Sequence, residues 1–283
     1  MTAAIISGKE LAKEKRSELK KEVEQLQKKG ITPGLVIILV GNNPASLSYI
    51  KGKQKASEET GVSFKLEHLD ETVSQEQLLE LIDHYNHDDR FDGILVQLPL
   101  PKHIDEKAVI EKISPEKDVD GFHPINIGRM MTGQDAFLPC TPAGIVEMIK
   151  SANIDIAGKH VVVVGRSNIV GKPVGQLLLN EHATVTYCHS KTKNLRDITT
   201  QADILIVAVG RPQLIGADDI KEGAVVIDVG VNRLENGKLV GDVNFAEAKE
   251  KASVITPVPG GVGPMTITML VYNTIKSAKK RLG

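Results

Sequence analysis

Val161-Val162-Val163-Val164-Gly165-Arg166-Ser167-Asn168-Ile169-Val170-Gly171-Lys172-Pro173 reads as a buried strand, a tight turn and the opening of a helix. An unbroken β-branched run of this kind belongs in a parallel sheet covered on both faces. Glycine in the turn lets the backbone approach a ligand, and the free amides of a helix N-terminus attract phosphate. The spacing is not Gly-x-Gly-x-x-Gly, and Gly171-Lys172 is followed by Pro173 rather than Ser or Thr, so neither the ordinary dinucleotide fingerprint nor a P-loop is present. On this segment alone, a βα turn with no ligand stays open.

Working outward, strand patterns recur at 160–164, 184–188, 203–209, 225–229 and 253–256. A spacing of about 20 residues, with helix-sized connections, means βαβ crossovers and a parallel sheet. The second of these strands ends in Thr186-Tyr187-Cys188-His189-Ser190-Lys191-Thr192. NAD-preferring domains place an acid there for the ribose 2′-hydroxyl. Here there is none, and Ser190, Lys191 and Arg166 can donate to a 2′-phosphate, so a dinucleotide site would favour NADP. His189 alone reads equally well as a strand-end surface residue.

The upstream half alternates in the same way. Ser7-Gly8-Lys9-Glu10 has capping-box spacing, and Leu11, Leu19, Val23 and Leu26 follow on one helical face until Lys28-Lys29-Gly30. Strands are predicted at 35–40, 62–69 and 93–97, with helices at 44–60, 74–90 and 105–112; Leu98-Pro99-Leu100-Pro101 ends the last strand. Periodicity weakens over 113–141, which reads as the join between domains, before a helix at 143–152. A final helix over 265–280 follows the Pro/Gly-rich 257–264. The expected fold is α/β in two domains with a cleft between them, 1–120 and 121–283. The second is a Rossmann-like doubly wound parallel sheet, and the helix over 265–283 packs back on the first.

Of 283 residues, 41% are hydrophobic and 25% charged, as in ordinary globular chains. Thirty-five Lys and Arg against 36 Asp and Glu leave a net charge of -1, which argues against nucleic acid or anionic membrane as partner. The longest apolar runs, 35–40 and 204–209, fall far short of the ~20 residues a membrane span needs. The N-terminus reaches charge too early for a signal peptide. Two cysteines, Cys140 and Cys188, without a Cys-x-x-Cys, indicate neither a disulfide framework nor a metal site. A cytoplasmic protein is expected.

Tyr49 and Lys53 are four apart on the helix after strand 35–40 and share a face. Gln97 is an amide closing an apolar strand at the carboxyl end, where open parallel sheets bind ligands. Either feature alone is also compatible with a structural role, and Asp118-Val119-Asp120-Gly121 alone reads as an acidic turn.

Taken together, the segments resemble the bifunctional methylenetetrahydrofolate dehydrogenase/methenyltetrahydrofolate cyclohydrolase family of the FolD type. The resemblance rests on Ala45-Ser46 with Tyr49 and Lys53; Val96-Gln97-Leu98-Pro99-Leu100-Pro101; Pro115-Glu116-Lys117-Asp118-Val119-Asp120-Gly121; and Pro139-Cys140-Thr141-Pro142. It continues through Val164-Gly165-Arg166-Ser167, Val170-Gly171-Lys172-Pro173, Cys188-His189-Ser190-Lys191-Thr192 and Thr256-Pro257-Val258-Pro259-Gly260-Gly261-Val262-Gly263-Pro264-Met265-Thr266. It implies that Lys53 is the catalytic lysine, that Tyr49 packs on the folate, that Gln97 bonds near Lys53 and that Asp120 holds the pterin's donor edge. Gly165, Arg166, Ser167, Ser190 and Val231 would contact NADP, and Pro259, Gly260 and Gly261 would shape the wall near the substrate. It also implies a homodimer, no metal, and supply of formyl groups for purine biosynthesis. Two rival readings are a dehydrogenase of another substrate class with the same plan, such as a shikimate-type enzyme, and a non-catalytic dinucleotide sensor. Neither calls for Tyr49, Lys53, Gln97 and Asp120 together.

Overall fold

A computed structural model describes residues 2–282. In chain order the elements are β1 (Ala4–Ile5), α1 (Gly8–Lys28), β2 (Gly34–Val40), α2 (Pro44–Thr60), β3 (Ser63–Leu69), α3 (Gln75–Asn86) and β4 (Gly93–Val96). Helices α4 (Glu106–Lys112), α5 (Pro124–Met131) and α6 (Cys140–Ser151) lead to β5 (His160–Val164), α7 (Gly171–Asn180), β6 (Thr184–Cys188), α8 (Leu195–Thr199) and β7 (Ile204–Val207). The chain ends with β8 (Val225–Asp228), β9 (Asn232–Arg233), β10 (Leu239–Val240), α9 (Phe245–Ala248), β11 (Val254–Ile255) and α10 (Val262–Lys279).

Two compact units result. One comprises Glu14–Cys140 with the chain from Ile267 onward, the other the chain up to Lys13 with Thr141–Thr266. These bounds differ from a division at 120. The two-residue strand β1 pairs in parallel with β11, which draws the N-terminus into the second unit. A strand that short has no periodicity to read. The segment 121–140, expected to be a join, belongs to the first unit and contains α5. Pro124 opens α5, and the His123 side chain accepts from Ile125 N, an unusual cap that residue type alone does not announce.

The first unit holds a parallel sheet in the order β3-β2-β4. Every residue of β2, Gly-Leu-Val-Ile-Ile-Leu-Val, is buried, as befits a central parallel strand. One face packs Val36, Ile38 and Val40 with Ile94 and Val96 of β4 and Leu78, Ile82 and Tyr85 of α3. Ser74 and Gln77 cap α3 reciprocally. This helix ends at Asn86, short of the predicted 90, because the Asp88 carboxylate takes Arg90 N and its guanidinium into a separate turn. In this unit α10 contributes Asn273, whose Nδ2 donates to Val119 O (2.8 Å) and Leu138 O (3.0 Å), tying both ends of 119–138 to one helix.

The second unit is a six-stranded parallel sheet ordered β1-β11-β8-β7-β5-β6. The order reverses at β5, with β6 on one side and β7 on the other, so the ligand crevice of such a sheet falls at their carboxyl ends. Val162, Val164, Leu205, Val207, Val226 and Ile255 form its core. The small antiparallel pair β9–β10 lies outside the sequence reading; each strand has two residues, too few for a pattern. Among the described residues no helix is long and apolar enough to cross a membrane.

Candidate active site

Helix α2 is fixed at both ends. Asn43 Oδ1 accepts from Ala45 N and Ser46 N, Pro44 opens the helix, and Gly61 ends it in the left-handed conformation (φ 81°). That placement sets Tyr49 and Lys53 one turn apart. Tyr49 is 40% exposed, whereas Lys53 is only 8% exposed. Lys53 Nζ donates to Gln97 Oε1 at 2.9 Å. Gln97 is itself held: its backbone N donates to Ile38 O, extending the sheet beyond β4, and Nε2 donates to Leu98 O at 2.8 Å.

Asp120 stands within electrostatic reach of the lysine. Burial lowers the Lys53 pKa, and the Asp120 carboxylate opposes that only in part. Burial likewise raises Asp120, against the pull of Lys53 and a hydrogen bond from Cys140. The Cys140 thiol lies 3.3 Å from Val119 O, and burial pushes its pKa well up, so it remains a donor. The loop bearing Asp120 is folded around Asp118. Asp118 accepts from Gly121 N and Phe122 N on one oxygen and from His123 N and Asn126 Nδ2 on the other. Burial raises this acid to about 6 despite those donors. Gly121 (φ 80°) has no alternative, since a Cβ there would sit 2.6 Å from the Leu138 backbone.

In the six-stranded unit, Gly165 (φ 136°) follows β5, and a Cβ on it would meet Ala208 O at 2.3 Å. A Cβ on Gly171 would meet Gly165 O at 2.4 Å. The turn is thus a backbone cradle that side chains would fill. Ser167 Oγ accepts from Val170 N and Gly171 N, capping α7 while keeping its own hydrogen to donate. Arg166 is exposed and has no carboxylate partner among the described residues. After β6, His189 N donates to Thr192 Oγ1 and His189 Nδ1 accepts from Lys191 N, so His189 shapes the turn that exposes Ser190 and Lys191. Val231, just past β8, is 49% exposed. A phosphate-bearing dinucleotide fits this donor set, and the absence of an acid at 186–192 fits a 2′-phosphate. In the same unit Gly260 O accepts from Lys9 N, and a Cβ on Gly8 would strike Gly261 O at 1.8 Å, so the 259–261 turn lies directly on the start of α1. Pro259 is exposed at its tip.

Lys53, Gln97 and Asp120 therefore come together within one unit, with Tyr49 one turn away. Gly165, Arg166, Ser167, Ser190 and Val231 gather at the carboxyl ends of β5, β6 and β8 in the other. Among the described residues no three His, Cys, Asp or Glu gather to hold a metal ion. The sequence reading missed Asn273 and the buried acids Asp228 and Asp242. Asp228 carried a legible signal, closing Val225-Val226-Ile227 as Gln97 closes Ile94-Leu95-Val96.

Family models for the tetrahydrofolate dehydrogenase/cyclohydrolase catalytic domain and NAD(P)-binding domain match residues 6–120 and 139–282. The bifunctional protein FolD of Bacillus pumilus is 71% identical over 282 residues, covering 100% of both chains. The bifunctional FolD enzyme of Campylobacter jejuni superposes with a TM-score of 0.97 at 53% identity, covering 99% of each chain. The Trypanosoma brucei methylenetetrahydrofolate dehydrogenase-cyclohydrolase, solved with NADP cofactor and inhibitor, gives 0.96 at 40% identity over 100% of this chain and 99% of that one. This chain belongs to the tetrahydrofolate dehydrogenase/cyclohydrolase family.

Proposed function

We propose that the protein oxidises 5,10-methylenetetrahydrofolate to 5,10-methenyltetrahydrofolate with NADP and hydrolyses that product to 10-formyltetrahydrofolate. The observation that carries this reading is a lysine amine held almost dry against Gln97, with the Asp120 carboxylate nearby. NADP, when bound, supplies the hydride acceptor. Gly165, Arg166, Ser167 and Ser190 would hold it, with Val231 against it.

Oxidation of the methylene bridge needs orientation more than a base, because flanking nitrogen lone pairs stabilise the cation that forms. Hydrolysis is more demanding. Water adds to the cationic carbon and loses a proton, a carbon–nitrogen bond breaks, and the departing nitrogen takes a proton. An ordinary lysine, with a pKa of about 10.4, is a poor base at neutral pH. Burial disfavours the Lys53 ammonium, and a substrate cation beside it would disfavour it further. Lys53 Nζ then accepts the proton from water and returns it to the leaving nitrogen. Gln97 fixes the amine by accepting one of its hydrogens, Asp120 accepts from the pterin's donor edge, and Tyr49 packs on the folate.

The same reading includes a cytoplasmic homodimer that feeds formyl groups to purine biosynthesis. β3 supports self-association, since its outer edge pairs with no strand among the described residues and Leu66 is exposed there. Purified protein mixed with NADP and the reduced folate should show NADPH absorbance, with transient methenyl absorbance that decays by hydrolysis. NADP reduction that does not depend on folate would refute the reading.

A further inference from the structure

Two buried acids outside the proposed catalytic groups stand at the carboxyl end of β8 and just after β10, in the unit proposed to bind the dinucleotide. Asp228 ends β8 and is 3% exposed; Asp242 follows β10 and is 0% exposed. Asp228 Oδ1 accepts from Gly230 N (3.0 Å) and Asp242 N (2.9 Å), and Oδ2 accepts from Val243 N (3.0 Å). Asp242 Oδ2 accepts from Val209 N (2.7 Å) and Gly210 N (2.9 Å), and Oδ1 accepts from Asn232 Nδ2 (2.9 Å). Neither acid has a cationic partner among the described residues, so backbone amides and one side-chain amide carry the whole compensation for burial.

Glycines enforce the arrangement from both sides. A Cβ on Gly230 would lie 2.2 Å from the Asp242 carboxyl, and a Cβ on Gly241 would lie 1.8 Å from Asp228 Oδ2. Each acid thus occupies the space denied to a side chain beside the other. What they hold is specific. Asp242 captures the loop after β7, whose Ala208 donates to Val164 O and abuts the Gly165 cradle. Through Asn232 and Asp228 the pair also fixes residues 229–232, which expose Val231.

The geometry points to Asp242, clamped by Asp228, as the positioning residue that sets loops 208–210 and 229–232 against the dinucleotide, so that NADP affinity depends on it and folate hydrolysis does not. The inference rests on the NADP site described above. Losing a hydrogen bond to a carboxylate typically costs enough to change binding by about tenfold or more.

The test uses the full-length chain and three measurements: calorimetric NADP titration, the KM for NADP in the dehydrogenase reaction, and hydrolysis of 5,10-methenyltetrahydrofolate without NADP. Asp242→Asn should raise the Kd and KM for NADP by about tenfold or more. Its NADP-free hydrolysis should stay within about twofold of the native rate. Asn232→Ala removes one donor at a half-buried position and covers the case in which Asp242→Asn does not fold; it should show the same split, more weakly. Unchanged NADP affinity in Asn232→Ala, or parallel loss of both activities, overturns the proposal. A native chain that binds no NADP would overturn the reading of the site and the proposal with it.

Discussion

The two units bury ionisable groups in opposite ways. In the three-stranded unit, Lys53 is almost fully buried with one neutral hydrogen-bond acceptor, Gln97, and a partly buried carboxylate, Asp120, nearby. In the six-stranded unit, Asp228 and Asp242 are buried just as deeply, but every oxygen is occupied by an amide donor. A buried polar group whose capacity is filled holds a fold in place. One that is dehydrated yet left with spare capacity is poised for chemistry, because burial has moved its proton affinity toward the working pH. By that difference Lys53 is proposed as the reactive group and the aspartates as architectural. Asp118 is an architectural acid in the reactive unit: its four donors shape the loop that presents Asp120.

The contrast breaks if substitutions in the two regions behave alike. The largest effect is expected for Lys53→Met. Cyclohydrolase activity should fall by on the order of 10³-fold or more, the range for loss of a general base, while NADP binding by calorimetry is unchanged. Full hydrolysis by this variant would erase the distinction. Next, Gly165→Ala places a Cβ 2.3 Å from Ala208 O at a positive φ. It should lower unfolding stability by about 2–4 kcal/mol in urea titrations and weaken NADP, with the Lys53 region left intact.

Titration of the architectural acids sharpens the contrast. Asp228 lies near pKa 6 in the folded chain, raised by burial, against about 3.9 for an ordinary aspartate. Between those values the folded protein keeps a proton that the unfolded chain has lost. Its contribution is therefore fully present below about pH 4 and lost as pH rises through about 6, a change of about 3 kcal/mol. Asp228→Asn should remove this component, so variant and native stability curves measured from pH 4 to 7.5 should diverge over that interval; parallel curves would show that burial does not perturb the acid. The smallest effect is expected for Arg166→Ala. It should weaken NADP by about tenfold and NAD hardly at all, a modest value because the guanidinium is exposed to solvent. Equal losses would contradict the 2′-phosphate assignment.

Much of this was legible from residue order. The apolar runs of β2 and β5, the 44–60 span of α2 and the glycine turn at 165 are local signals, and the structure places each where its chemistry directs. The partnership of Lys53 with Gln97 was legible only through family resemblance, since 44 positions separate them. What stayed hidden depends on donors supplied from a distance. Asp242 sits in a short loop with no periodicity, and its burial is tolerable only because Val209, Gly210 and Asn232 converge on it. Asn273 is one of several polar residues on α10, and its role emerges only where Val119 and Leu138 meet it. β1 and α5 escaped because one is too short for a pattern and the other is capped by a histidine.

The central claim is that the Lys53 amine is dry enough to surrender its proton. Nitrogen NMR of the selectively labelled lysine, titrated in the native protein and assigned against Lys53→Met, measures that directly. The account predicts a Lys53 pKa below the ordinary value of about 10.4, falling further when a folate cation is bound. A value at or above the ordinary one, unmoved by folate, would contradict it.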